Sequence, residues 1–178
     1  MVPPSFKVDS CQFLAGIKPA VRTRIKNRSN IKIFLQSISS LGWCPVHDKS
    51  GFLVISKNKE LSRMIMEVDQ SSLPHAMILG RLLGYPECCS SFIEHSGEDE
   101  IDKLAEEYTR TNLKDHYSLL DISLYLKGIA LISHVPCSYE CKPSLDIAQQ
   151  TLSFVKEYKK ATGFAGWASL IAEYFSDP

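Results

Sequence analysis

Leu82-Leu83-Gly84-Tyr85-Pro86-Glu87-Cys88-Cys89 carries a helix stop and a helix start within a few residues. Gly84 suits the left-handed position just past a helix C-terminus, and Pro86 suits the opening of the next helix. The pattern predicts one helix over Leu73–Leu83, with Pro74 in its first turn, and another over Glu87–His95, stopped by Ser96-Gly97. A helix N-terminus presents unpaired N–H groups and a partial positive charge, which favour an anion. Cys88 and Cys89 stand at such a place, where a thiol is more easily ionised.

On the C-terminal side, Glu98–Arg110 reads as a helix with Ile101, Leu104 and Tyr108 inward. His116–Ile132 is apolar around most of its circumference and is expected to be a central buried helix. Pro143 opens a long helix through Lys160, with Leu145, Ala148, Leu152, Val155 and Tyr158 as its inner stripe. Phe164, Trp167, Leu170, Ile171 and Tyr174 predict a final amphipathic helix. On the N-terminal side, Leu61, Met64, Ile65 and Val68 share one face of a helix over Lys57–Val68. Trp43–Ser56 reads as a small β-hairpin, from the turn residues Asp48-Lys49-Ser50-Gly51 and the apolar run Phe52-Leu53-Val54-Ile55. Phe13, Leu14, Ile17, Val21 and Ile25 recur at helical spacing, broken at Pro19 and again at 27–30, and Ile31–Ile38 resumes the helix. The Pro-rich residues 1–10 are expected to be irregular. The expected fold is one mostly helical α+β domain over residues 1–178, carrying a small hairpin near residues 43–56.

Four of the six cysteines lie in two groups. One is Cys88-Cys89. The other is His134-Val135-Pro136-Cys137-Ser138-Tyr139-Glu140-Cys141-Lys142-Pro143, again next to a helix-opening proline. The shared setting predicts that the groups meet at one site, with a sulfur of Cys88 or Cys89 within about 4 Å of one from Cys137 or Cys141. Consecutive side chains at a helix start diverge by about 100°, so whether both Cys88 and Cys89 bind stays open. His134 is a candidate ligand, base or thiolate partner. Glu87 and Glu140 each adjoin a cysteine; both read as solvent-facing, with acid/base work at Glu87 the sharper alternative. Cys44 and His47 form half of a zinc-like pair with no second half nearby in sequence, and Cys11 reads as structural.

Two centres suit these donors. An iron–sulfur cluster takes four thiolates, and four are at hand. A tetrahedral zinc site takes four ligands from cysteine and histidine but usually uses C-x2-C pairs, which neither group supplies. A vicinal pair combined with a distant spaced pair resembles the ligand pattern of cysteine-rich cluster proteins of the heterodisulfide-reductase kind, with C-x3-C here in place of C-x2-C. On this ground the cluster is favoured over zinc, with Cys88, Cys89, Cys137 and Cys141 as its ligands.

Composition sets the frame. The chain is 44% hydrophobic and 22% charged with zero net charge, so no global field argues for nucleic acid. No apolar run is long enough to span a bilayer, and Met1–Ser10 lacks the pattern of a secretory signal. The expected location is the cytoplasm, where thiols stay reduced and metal binding or catalysis outranks disulfides. Lys18, Arg22, Arg24, Lys26, Arg28 and Lys32 form a basic stretch with no acid inside it. It reads as a solvated face, or as a site for a protein or phosphate-bearing partner. Glu94 to Glu107 forms an acidic counterpart, also read as solvated.

Leu79-Gly80-Arg81-Leu82-Leu83-Gly84-Tyr85-Pro86-Glu87-Cys88-Cys89, followed by Phe92, resembles the motif LG-x-LLGYP-x-CC of an uncharacterised prokaryotic family. A later H-x-PCS…C element accompanies it in that family and is matched here by His134, Pro136, Cys137, Ser138, Cys141 and Ser144. The likeness covers roughly residues 50 to 150 and implies a site without implying a reaction.

Three functions fit. The first is an enzyme acting on a small molecule, or handling sulfur, at a thiolate-held centre, with His134, Cys89 and Glu87 as catalytic candidates. The second is a zinc-stabilised structural or interaction module. The third is a metal-free thiol redox enzyme.

Overall fold

The computed structural model describes residues 4–25, 31–111, 119–122, 125 and 129–158. Within them the order is α1 (Pro4–Leu14), β1 (Ala20–Arg24), α2 (Ile31–Ser40), β2 (Cys44–His47), β3 (Phe52–Ser56), α3 (Lys59–Asp69), α4 (Ala76–Leu83), α5 (Glu87–Ser96), a 3-10 turn (Glu98–Glu100), α6 (Ile101–Thr111) and α7 (Lys142–Glu157). The fold is mostly helical α+β, with one small antiparallel sheet in the order β1-β3-β2. The final amphipathic helix read at 164–174 lies outside the described residues, as do residues 159–160 at the expected end of α7 and residues 26–30 of the basic stretch.

The predicted hairpin is β2 and β3, paired from Cys44 opposite Ser56 to His47 opposite Leu53. Asp48 organises its turn, its Oδ1 accepting from the backbone N–H groups of Gly51 and Phe52 at 2.8 Å each. β3 is the central strand and is covered on both faces. Leu53 and Ile55 pack with Phe13, Val21 and Ile38, while Val54 packs with Ala20, Ile65, Met66 and Leu83. Alternate residues of β3 therefore feed opposite sides of the sheet.

Three expectations give way. Residues 4–10 are helical, not irregular: Pro4 occupies the opening of α1, where its missing N–H costs nothing, and Val8 and Cys11 are buried in the helical core. Residues 20–24 form a strand rather than helix, pairing Ala20–Arg24 with Ser56–Phe52. The spacing of Val21 and Ile25 fits a helix, but Ala20 and Val21 go to opposite faces of the sheet. The expected central helix over His116–Ile132 is not helical where it is described at 129–132, although Leu120, Ile122 and Ile129 to Ile132 are all buried. An apolar run reports burial without settling backbone conformation. The side chain of Gln12, itself buried, donates to the Leu131 carbonyl at 2.9 Å, supplying a partner that a helix would otherwise provide.

The charged stretches are also less solvated than expected. Lys18 is 3% exposed and pairs with Asp9, donates to Ser133 Oγ at 3.1 Å and lies over the ring of Tyr85. Arg22 holds the buried carboxylate of Asp69 at 2.7 Å. Arg24 and Lys32 are exposed. In the acidic stretch, Glu94 and Glu98 accept from the backbone N–H groups of Met77 and His75, each at 2.8 Å. They cap the start of α4, whose own N-cap residue makes no side-chain cap. Among the described residues, no helix is long and apolar enough to cross a membrane.

Candidate metal centre

The two cysteine groups converge because two helix starts face each other. α4 ends at Gly84, which takes the left-handed conformation at φ 81°, ψ 23°. A Cβ on Gly84 would stand 2.6 Å from Cδ of Pro19, so glycine is required by conformation and by space. One residue separates Gly84 from Pro86, whose carbonyl accepts from Cys89 N at 3.1 Å and Ser90 N at 3.0 Å to start α5. α4 and α5 pack closely at Gly80, where a Cβ would meet Ser90 Oγ at 2.1 Å. This fixes the direction in which α5 aims Cys88 and Cys89. Across from them, Cys141 is the N-cap of α7, and its carbonyl accepts from Leu145 N at 2.9 Å. The turn from Cys137 to Cys141 is closed by Cys141 N donating to Ser138 O at 3.2 Å.

The sulfurs of Cys88, Cys89, Cys137 and Cys141 all lie within 4.8 Å of one another. Cys141 Sγ is 3.7 Å from Cys88 Sγ and 3.6 Å from Cys89 Sγ, and the vicinal pair is separated by 3.9 Å. Both members of that pair reach the same point, which the sequence had left open. These four residues can hold a metal ion.

The family model described as a protein of unknown function, DUF483, matches residues 48–165. The chain belongs to this family. The matched span contains all four clustered cysteines, in agreement with the uncharacterised family that the two motifs resemble. No curated protein and no solved structure matches the chain.

In this DUF483 member the four thiols are electrostatically unequal. Burial raises Cys141, but hydrogen bonds from the Ser144 side chain and backbone, then from Cys89 and Cys88, outweigh it and bring the thiol down to about 7. Burial drives Cys89 strongly upward. It also pushes Cys137 to about 11, helped by hydrogen bonding with Cys141 and Cys88. Cys141 is therefore the first thiolate of the group, and a cation arriving there displaces protons from the others. Cys88 is the exposed member, whereas Cys89 and Cys141 are 1% and 5% exposed.

Ser144 ties the group together. Its hydroxyl lies 3.3 Å from both Cys89 Sγ and Cys141 Sγ and 2.8 Å from His134 Nε2. A hydroxyl has one proton, so when it donates to the Cys141 thiolate it accepts from His134, which then carries its hydrogen on Nε2. Burial and the charge of Lys18 hold His134 well below its usual range, at about 3, so the ring is neutral. Its face packs on Tyr85 with ring centroids 5.2 Å apart. His134 is thus beside the sulfur group and reaches Cys89 and Cys141 through Ser144.

The remaining sequence candidates fall elsewhere. Glu87 is exposed and ion-paired with Arg81, and Glu140 is exposed. Cys44 lies on β2, where its carbonyl accepts from Ser62 Oγ at 2.6 Å, and His47 is exposed at the hairpin turn; neither belongs to the four-sulfur group. Cys11 is buried in the helical core and pushed up to about 12 by burial. Sequence reading placed Ser144 in the second motif without giving it a role. Its position three residues after Cys141, in the first turn of α7, was the available signal. The neighbouring network of Asp9, Lys18, Tyr85, Ser133 and Gln12 carried no local signature, because its members come from distant parts of the chain.

Proposed function

We propose that Cys88, Cys89, Cys137 and Cys141 bind a single tetrahedral zinc ion, and that this ion clamps the start of α5 to the start of α7. The carrying observation is the sulfur spacing of 3.6, 3.7 and 3.9 Å. A tetrahedron with metal–sulfur bonds of about 2.3 Å has edges of about 3.8 Å. A four-iron cluster uses the same number of thiolates but puts each on a different iron, so its sulfurs stand further apart, by the width of the inorganic core. The spacing thus favours one ion over the cluster that the ligand pattern suggested. Four protein thiolates leave no open coordination position, which favours a structural role over a catalytic one. The clamp bears on function because Cys89 and His134 also line a cavity of about 320 Å³, so the metal would hold one wall of that cavity.

The test is metal analysis of protein purified anaerobically, followed by cobalt substitution. One zinc per chain, and intense tetrahedral thiolate–cobalt absorption after exchange, is the expected result. Broad absorbance near 400 nm with stoichiometric inorganic sulfide would replace zinc by a cluster. Colourless, metal-free protein that binds neither zinc nor cobalt would leave the thiol redox reading.

A further inference from the structure

Of the six cysteines, Cys88 alone is exposed. Cys89 and Cys141 are buried, and Cys137 is half-buried. A small oxidant arriving from solvent therefore meets Cys88 first, and susceptibility of a thiolate follows its exposure. Two sulfurs stand close enough to answer: Cys141 Sγ at 3.7 Å and Cys89 Sγ at 3.9 Å. Neighbouring Cα atoms are about 3.8 Å apart across a trans peptide, short of the roughly 4.4–6.8 Å that a disulfide usually spans. Cys89, the next residue on α5, is therefore a poor partner. Cys141 comes from another element, as the N-cap of α7, and is free of that restriction. Cys89 and Cys141 are also close, at 3.6 Å, but both are shielded from the oxidant.

We infer that Cys88 is a reversible oxidation site: a hydroperoxide oxidises it, Cys141 closes a disulfide onto it, and the metal is released. The metal release rests on the zinc reading above, whereas the disulfide rests on exposure and sulfur geometry. In the first step the Cys88 thiolate attacks one oxygen of hydrogen peroxide, the O–O bond breaks, hydroxide leaves, and Cys88 becomes a sulfenic acid. In the second the Cys141 thiolate attacks the Cys88 sulfur, an S–S bond forms, the S–O bond breaks, and a second hydroxide leaves. The two thiolates together lose two electrons, and peroxide gains both. Zinc is left with Cys89 and Cys137, half of its four ligands, and departs. The disulfide joins α5 to α7 in place of the metal. The helix junction thus survives, while Cys89, in the cavity wall, becomes a free thiol. A thiol reductant reverses the change.

The test treats zinc-loaded protein with hydrogen peroxide. Zinc release is followed with a chromophoric chelator, and disulfides are mapped by mass spectrometry after free thiols are blocked. One Cys88–Cys141 disulfide for each zinc released is expected, with zinc binding restored by dithiothreitol and added zinc. Cys88→Ser should slow release by about tenfold or more, whereas Cys44→Ser, outside the sulfur group, should match the parent. Cys141→Ser should stop at the sulfenic acid, trapped on Cys88 by dimedone. The inference is overturned if the disulfide maps to another pair, if Cys88→Ser releases zinc as fast as the parent, or if oxidation yields only sulfinic acids. Metal content before treatment tests the zinc reading by itself. A metal-free protein that still forms the Cys88–Cys141 disulfide sinks the zinc reading and keeps the oxidation site; one that forms no disulfide sinks both.

Discussion

Ser144→Ala tests how the thiolate group is held together. Ser144 is fully buried, and its hydroxyl meets Cys141 Sγ, Cys89 Sγ and His134 Nε2 at 3.3, 3.3 and 2.8 Å. Alanine keeps the Cβ and removes one oxygen, so little packing is lost and the change isolates hydrogen bonding. A hydrogen bond to a charged group contributes about 1.5–3 kcal/mol, and each 1.4 kcal/mol is about tenfold in affinity. Metal affinity should fall by roughly ten- to a hundred-fold, in line with the usual effect of removing a partner just outside the ligands. The substitution also strands the His134 Nε2–H, so the metal-free protein should be destabilised by about 1–3 kcal/mol. Competition with a chromophoric chelator at fixed pH reads the first effect, and urea denaturation of the metal-free protein reads the second. Affinity within threefold of the parent, in a protein whose Cys141→Ser variant loses its metal, would refute the role given to Ser144.

Other consequences are more direct. Cys141→Ser and Cys137→Ser should each abolish stoichiometric metal binding, read by metal analysis after gel filtration. Cys89→Ser should cost more than Cys88→Ser, because Cys89 is buried and Cys88 stands in solvent where water can replace it as a ligand. Cys89 and Cys137 are raised, so each gives up a proton when metal binds near neutrality. Apparent affinity should therefore fall about tenfold per proton for each unit of acidification, more steeply below about pH 7 once Cys141 is protonated as well. His134 is depressed from 6.5 to about 3, so its contribution to stability is full above 6.5 and is lost progressively as pH falls toward 3. Denaturation midpoints at pH 7, 6 and 5 should show that loss, and His134→Gln should remove its share. Lys18→Met leaves Asp9 buried and unpaired, and should cost about 3–5 kcal/mol, far more than Arg24→Gln on the surface; equal midpoints for the two variants would count against the buried pair.

Local grammar was legible in the chain, and long-range partnership was not. Gly84 and Pro86 mark a helix stop and start because glycine and proline act through their own backbone, and α4 and α5 end and begin where those residues say. The hairpin was legible for the same reason, in Asp48 to Gly51. β1 was missed because a strand depends on its partner: Val21 and Ile25 satisfy a helical spacing, and only β3 makes Ala20–Arg24 a strand. The basic stretch was misread in part because burial is tertiary. Nothing near Lys18 in sequence announces that Asp9, Tyr85 and Ser133 will surround it. Residues 129–132 show the reverse case, where hydrophobicity correctly announced burial but the backbone is not helical and the Leu131 carbonyl takes its partner from distant Gln12.

The vicinal cysteines show how local and distant constraints combine. On a regular helix, neighbouring side chains point about 100° apart, which argues against both binding one ion. Cys88 and Cys89 escape this because they stand in the first turn of α5, where no preceding turn blocks the approach of a partner. Cys141 approaches from the N-cap of α7 and lies almost equally far from both, at 3.7 and 3.6 Å. A partner placed between two diverging side chains is reached by both when it lies on the bisector, one sulfur from the solvent side and one from the core. The exposure of Cys88 and the burial of Cys89 are then two sides of one arrangement. Gly80 and Gly84 make it possible, since the approach of Ser90 to the first and Pro19 to the second leaves no room for a Cβ. A metal at this point joins two helices that the short α4–α5 turn has already aimed, which is why the cysteine pair sits immediately after that turn.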